Sequence, residues 1–382
     1  MLFNFSEKLF DLWGMNLRFF SIVLLSLVIV ACSDDPKQNS RAIKRSSSSN
    51  SGPSFRIRLL NAQGLVWGDS LSFEVKSDDE EMAIEQLEIS SETGGAIIID
   101  GKTDRFSIAS SVAGGGEVTL KFRASYGNGK ETTRYKEILI KPRKEENRWK
   151  FEVVDKYPHD VSSYTQGFLI KDGFVYEGTG NYGESKLRKL DLRSGKVFQE
   201  RSMSDDVFGE GITIRDGKIF QLTYKSGRGY LYNVETFDLI DEFSYYTKTG
   251  EGWGLTHNDT CLILSDGSSI LYFLDPSSLE EKGRLNVYTN DGNVSRLNEL
   301  EYVDGTIYAN IYTEPFIVAI NAKSGEVTDL YNAQGIVDPS EANQSMDVLN
   351  GIAVNPMSGN LLLTGKYWSR IYEVNPTPLG GD

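Results

Sequence analysis

The sequence predicts an all-β protein, and three observations predict it. Gly (37), Tyr (19) and Phe (19) are abundant, the composition of aromatic strands joined by glycine turns. Apolar and polar residues alternate from Phe55 to Lys141, the period of strands with one buried face. From Gln166 onward a single pattern returns five times, at spacings of 44, 43, 45 and 52 residues. Taken together they describe a five-bladed β-propeller preceded by an immunoglobulin-like β-sandwich.

Composition narrows the function classes. With 39% hydrophobic and 25% charged residues, the 382-residue chain can bury a core. Its 40 Lys and Arg against 54 Asp and Glu leave a net charge of −14, so nucleic acid is not an expected partner. Two cysteines and two histidines exclude a disulfide scaffold and almost any Cys/His zinc site. No metal and no cofactor are expected, and the protein is expected to act as a monomer.

In chain order, residues 1–31 read as an export signal. Met15 is taken as the start, Arg18 supplies the charged flank, and residues 19–31 are an uncharged run shorter than a membrane span. The run ends in Ile29-Val30-Ala31-Cys32, which resembles a bacterial lipobox, so Cys32 is expected to carry lipid and anchor the chain to a membrane of the cell envelope. It would face the periplasm or the surface. Residues 32–54 are Ser-rich and polar, a flexible tether. Residues 55–141 hold the alternating strands of the sandwich, among them Leu71, Phe73, Val75 and Val118, Leu120, Phe122. Nothing in them suggests chemistry, so a spacer or adhesion role is expected. Residues 142–150 read as a charged linker, and residues 151–376 hold the propeller.

The repeats begin at Gln166, Glu210, Trp253, Asn298 and Asn350. Six residues further on stand Asp172, Asp216, Asp259 and Asp304, three of them before Gly, as hairpin turns prefer. The fifth copy has Pro356 there and runs out of chain after three strands. Phe151–Val154 is an orphan strand that can complete it and so remove the exposed edges.

Equivalent positions in a propeller lie at equivalent depths around the channel. The five leading residues should therefore gather at one mouth. A regular hairpin would bring Gly180, Tyr224, Gly267, Tyr312 and, after a longer turn, Lys366 opposite them. One carboxylate, one cation, amides and an aromatic wall make a binding site. Glu177 is a second carboxylate near the channel. His159 and His257 are not expected to form a triad or a metal pair, His257 is expected to face solvent, and Cys261 is expected in the core.

Longer motifs follow in order: YTQGF (164–168), YEGTGNYGESKLRKLDLRSGKV (176–197), FGEGI (208–212), GEGWGL (250–255), SDGSSILYFLDP (265–276), RLNELEYVDGTIYANIY (296–312), VLNGIAVNP (348–356) and LLTGKYW (362–368). The run resembles the glutaminyl-peptide cyclotransferases of the plant and bacterial type over about residues 151–375. The resemblance implies a five-bladed propeller that converts the N-terminal Gln of peptides or proteins to pyroglutamate with release of ammonia, without catalytic zinc. It implies Glu210 as acid/base, with Glu177 as the second candidate, and Gln166, Trp253, Asn298 and Lys366 as site residues. Tyr224, Tyr312, Asn350 and Trp368 are further substrate-binding candidates; Tyr224 and Tyr312 stand where the family often has Trp. Two other classes stay open at this point: a non-catalytic envelope module that binds peptide or glycan, and a propeller hydrolase, which would need a channel Ca²⁺ that Lys366 opposes.

Overall fold

The computed structural model describes residues 53–61 and 63–379; the signal segment, Cys32 and nearly all of the tether lie outside them. Along Gly116–Tyr126 burial alternates residue by residue, so one face of each early strand seeks a partner. Phe55–Leu59, Ser70–Ser77 and Arg105–Ala109 form a three-stranded sheet. Ala96–Asp100, Ile84–Ser90, Gly116–Tyr126 and Glu131–Ile140 form a four-stranded one, in that order. The two sheets share a single apolar core in which the Phe73 and Phe122 rings meet edge to face at 5.3 Å. Ser110–Ala113, the one helix among the described residues, is a single turn, too short to cross a membrane.

The charged stretch 142–150 is not all linker. A strand starts at Asn147 and runs to Pro158. Its first four residues pair in parallel with Asp329–Asn332, and the rest pair antiparallel with the last strand, Arg370–Pro378. Trp149 explains this. Its ring stacks on Tyr331 at 6.4 Å and its Nε1 donates to Asp329 at 2.8 Å, while Arg148 and Lys150 point outward. The alternation was masked by the charge on the exposed face. Phe151, expected as an orphan strand, pairs with Pro376.

From Asn147 to Pro378 the chain forms five four-stranded antiparallel units, the fifth built of Leu349–Val354, Leu361–Gly365, Arg370–Pro378 and Asn147–Pro158. Three are separate sheets, beginning at Thr165, Gly209 and Leu255; the fourth and fifth, beginning at Leu297 and Leu349, are joined through Asn147–Pro158 into one eight-stranded sheet. The first strands of the units pack side by side in a closed cycle. Apolar contact runs between units, in five separate clusters. Ile212 and Tyr176 join the first two, Phe220 and Leu262 the next pair, and Ile263 and Ile307 the third and fourth. Ile317 and Leu363 join the last two, and Val175 and Leu362 close the cycle. Asp172-Gly173, Asp216-Gly217 and Asp304-Gly305 all have positive φ, the conformation two-residue hairpin turns need. Cys261 is half-buried, not a core residue.

The sandwich docks on the third and fourth units. Glu92 pairs with Lys248 and with Arg284, each at 2.9 Å. Asn286 donates to the Gly115 carbonyl at 2.8 Å, and Asn293 accepts from the Glu117 amide at 3.0 Å. At Gly115 a Cβ would come within 2.1 Å of the Tyr288 ring, so only glycine allows this approach.

Candidate active site

Four of the five leading residues sit in β-bulges. On the second unit Gly209 pairs with Thr223 and Ile212 with Gln221, so Glu210 and Gly211 together oppose one residue, Leu222. Asn298-Glu299 and Asn350-Gly351 do the same on their strands, and Gln166 is the extra residue on the first. A bulge leaves a residue out of the ladder and re-aims its side chain. It also shifts the register. Gly180, Tyr224, Tyr312 and Lys366 bond to the residues two before the leading ones, Tyr164, Phe208, Arg296 and Val348, and not to the leading residues as a regular hairpin would require. Glycine makes the bulge of the second unit possible: a Cβ on Gly211 would fall within 2.6 Å of the Trp253 carbonyl, which the Gly211 amide bonds.

The re-aimed side chains meet in a pocket of about 190 Å³ lined by Gln166, Glu210, Trp253, Asn298, Tyr224, Tyr312 and Lys366, with Tyr164 and Phe208. Aromatic edges build its wall. Trp253 meets Tyr312 at 5.3 Å and Phe208 meets Tyr224 at 5.6 Å. Lys366, 2% exposed, holds Nζ 4.3 Å from the Tyr164 ring centre and 5.0 Å from that of Tyr312. Glu210 is 4% exposed and accepts a hydrogen bond from Gln166 Nε2 at 3.3 Å. Burial pushes its carboxyl well above the usual range, with Lys366 opposing and Glu251 adding to the shift. Burial likewise lowers the Lys366 ammonium to about 8, against the charges of Glu210 and Asp347. Trp253 Nε1 donates to Glu251 at 2.9 Å, which fixes the indole. The Asn298 side-chain oxygen is buried without a protein partner.

The model of the glutamine cyclotransferase family matches residues 127–375. The chain belongs to that family. A glutaminyl-peptide cyclotransferase of Arabidopsis thaliana is 34% identical over 228 residues, 58% of this chain and 70% of that one. The crystal structure of Myxococcus xanthus glutaminyl cyclase superposes with a TM-score of 0.55 at 30% identity, covering 62% of this chain and all of that one.

In this cyclotransferase family member the structure brings seven of the predicted site residues to the pocket, but not Glu177, Asn350 or Trp368. Glu177 is fully buried away from it, accepting from His159 Nε2 at 3.0 Å, Ser163 at 3.0 Å and Thr165 at 2.7 Å. Burial pushes its carboxyl up, but His159 and the hydrogen bonds outweigh that and leave it lowered. His159 is raised by its partner against its own burial, and its Nδ1 bonds the Trp368 carbonyl at 2.7 Å. This pair clamps the turn that carries Lys366. Asn350 lies beneath Gln166 and donates to its Oε1 at 3.1 Å. Trp368 packs edge-on against Gly365 and donates to the Asp347 carbonyl at 2.8 Å. His257 is not free in solvent but bonds Thr213 at 2.7 Å on the opposite side of the cycle.

Tyr164 and Phe208 are pocket residues that the regular-hairpin register passes over. Both stand two before a leading residue, and the Gly that follows Gln166 and Glu210 is the signal that could have revealed the bulge. Glu299, beside Asn298, does not line the pocket: its carboxyl oxygens accept from the amides of Phe168 and Ile352 at 3.2 and 2.8 Å, tying three units together.

Proposed function

We propose that the pocket cyclises the N-terminal glutamine of peptides and proteins to pyroglutamate, with release of ammonia. One observation carries this reading: a single buried carboxylate, Glu210, shares an aromatic pocket with one buried cation in a chain of the glutamine cyclotransferase family. The α-amine attacks the γ-carboxamide carbon, the C–N bond to the amide nitrogen breaks, and the nitrogen leaves as ammonia. Ring closure supplies proximity, so the protein must curl the side chain and move one proton. Glu210 takes that proton from the amine and returns it to the departing nitrogen. Its raised pKa suits both steps near neutral pH. Gln166 holds its oxygen in place, Lys366 or Asn298 stabilises the oxyanion, and Trp253, Tyr224, Tyr312 and Phe208 form the wall against which the side chain packs.

This is an acyl transfer within one substrate, and it runs without zinc. The chemistry of the donors supports that: His159 has both ring nitrogens engaged and His257 stands apart from the pocket. The closed cycle of units supports a five-bladed propeller over 151–376, and the seven early strands, split into sheets of three and four around one core, support an immunoglobulin-like sandwich over 55–141. A lipid on Cys32 would hold both at the envelope membrane; Cys32→Ser should leave the protein soluble or unprocessed on fractionation. The decisive measurement is incubation with a Gln-initiated dipeptide. Ammonia and a product lighter by one ammonia are expected; an unchanged dipeptide would defeat the reading.

A further inference from the structure

We propose that the groove between the sandwich and the third unit receives the polypeptide that follows the N-terminal glutamine. The inference rests on the cyclotransferase reading of the pocket. At about 190 Å³ the pocket holds one side chain and its amine, so the rest of a protein substrate must cross the rim. The rim is guarded on four units. Tyr182, 59% exposed, stands against Phe208 at 5.5 Å on the first. Lys225 pairs with Glu251 at 3.3 Å beside the second, Arg296 with Glu314 at 3.0 Å on the fourth, and Tyr367 meets Tyr164 at 5.2 Å on the fifth.

The third unit is open. Its turn is Asp266-Gly267-Ser268-Ser269. Asp266 is turned inward onto Tyr272 and Thr249, and Gly267 lies so close beneath Trp253 that a Cβ would sit 2.7 Å from the ring. No large side chain rises there. A chain leaving the pocket over Trp253 crosses this turn and meets a groove of about 520 Å³, larger than the pocket itself. Ser268, Ser269 and Asn286 line one wall, and Thr93, Glu117 and Thr119 of the sandwich line the other. Ser268, Ser269 and Asn286 spend their hydrogens on Asp266, on Asn286, and on Gly115 with Asn293. That leaves the Thr93 and Thr119 hydroxyls and the Glu117 carboxylate to serve the N–H and C=O groups of an extended chain without demanding a sequence. Glu92, in the same groove, is already occupied by Lys248 and Arg284. The sandwich thus extends the substrate site rather than only spacing it.

Thr119 is exposed on a strand of the sandwich, so a larger side chain there obstructs the groove without entering a core. Thr119→Trp and Thr119→Arg are compared with wild type on a Gln-initiated dipeptide and on a Gln-initiated decapeptide. The decapeptide spans ~30 Å when extended, at ~3.3 Å per residue. Dipeptide turnover should be unchanged, while kcat/KM for the decapeptide falls at least about tenfold through KM. Equal effects on both substrates, or none on either, in a variant that unfolds like wild type overturn the groove and leave the cyclisation standing. A wild type that turns over neither substrate overturns the cyclisation itself, and the groove with it.

Discussion

Two buried glutamates separate chemistry from architecture at the residue scale. Burial pushes the Glu210 carboxyl well above the usual carboxylate range, with Lys366 opposing, and no hydrogen-bond network depends on it beyond Gln166. Glu210→Gln should therefore cut kcat at least about 10²-fold and leave the melting temperature little changed. Against their burial, the pairing of Glu177 with His159 lowers the carboxyl and raises the imidazole. Glu177→Gln removes the group that holds His159 up against its own burial and breaks a buried pair, which should cost about 3–5 kcal/mol of stability. Its contribution has a pH window. A lowered carboxyl adds stability that is present above its ordinary 4.5 and lost as pH falls through the folded value. A raised imidazole adds stability that is present below 6.5 and lost as pH rises through its folded value. Thermal unfolding and steady-state kinetics of the two variants, with Asp172→Asn as a turn control, test the division; a dead Glu177→Gln of normal stability beside an active Glu210→Gln would reverse it. Lys366 offers a second test. Its charge lowers Glu210, so Lys366→Met should raise Glu210 further and move the acid limb of kcat/KM to higher pH. The basic limb near 8 should disappear. The substrate's own amine is the same in both profiles, so their difference reports the enzyme, and superimposable profiles would refute the coupling.

Bulges are the elements on which the site depends, and they decide what glycine substitutions do. Gly211 has the Leu255 amide and the Trp253 carbonyl where a Cβ would go, whereas Gly217, in a hairpin turn at φ +72°, has open space around it. Gly217→Ala should cost only about 1–2 kcal/mol for its left-handed conformation. Gly211→Ala should cost more and also depress kcat, because the first strand of the second unit must move away from that of the third and Glu210 moves with it. Differential scanning calorimetry with kinetics on both variants checks this, and equal losses would argue that the bulge is not strained for space. The five-fold recurrence and the Asp-Gly turns were legible in the sequence because they are local. The bulges were not, since an extra residue in one strand is defined only by its partner's hydrogen bonds. That is why Tyr164 and Phe208 escaped notice while Gln166 and Glu210, two positions on, did not.

At the scale of the whole molecule, the sandwich core and the five inter-unit clusters share no residues. A chain beginning at Glu145, which keeps the whole strand Asn147–Pro158, should therefore unfold cooperatively and cyclise a Gln-initiated dipeptide within a few-fold of the full chain. It should melt lower, since Tyr288 loses its cover on Gly115. A shortened chain that circular dichroism finds unfolded would mean the sandwich supplies part of the core. Sequence alone determined the all-β character, the five units, the completing strand from Phe151 and the leading residues Gln166, Glu210, Trp253 and Asn298, because strand period, turn chemistry and repeat spacing are written along the chain. Only the tertiary structure decided that Glu177 belongs to a buried clamp with His159, that the strand at Asn147 begins inside the charged stretch, and that the sandwich docks through Glu92 and Gly115 on Lys248, Arg284 and Asn286. Each of those rests on contacts between segments up to about two hundred residues apart, whose energy comes from burial and pairing in space and leaves no period in the sequence.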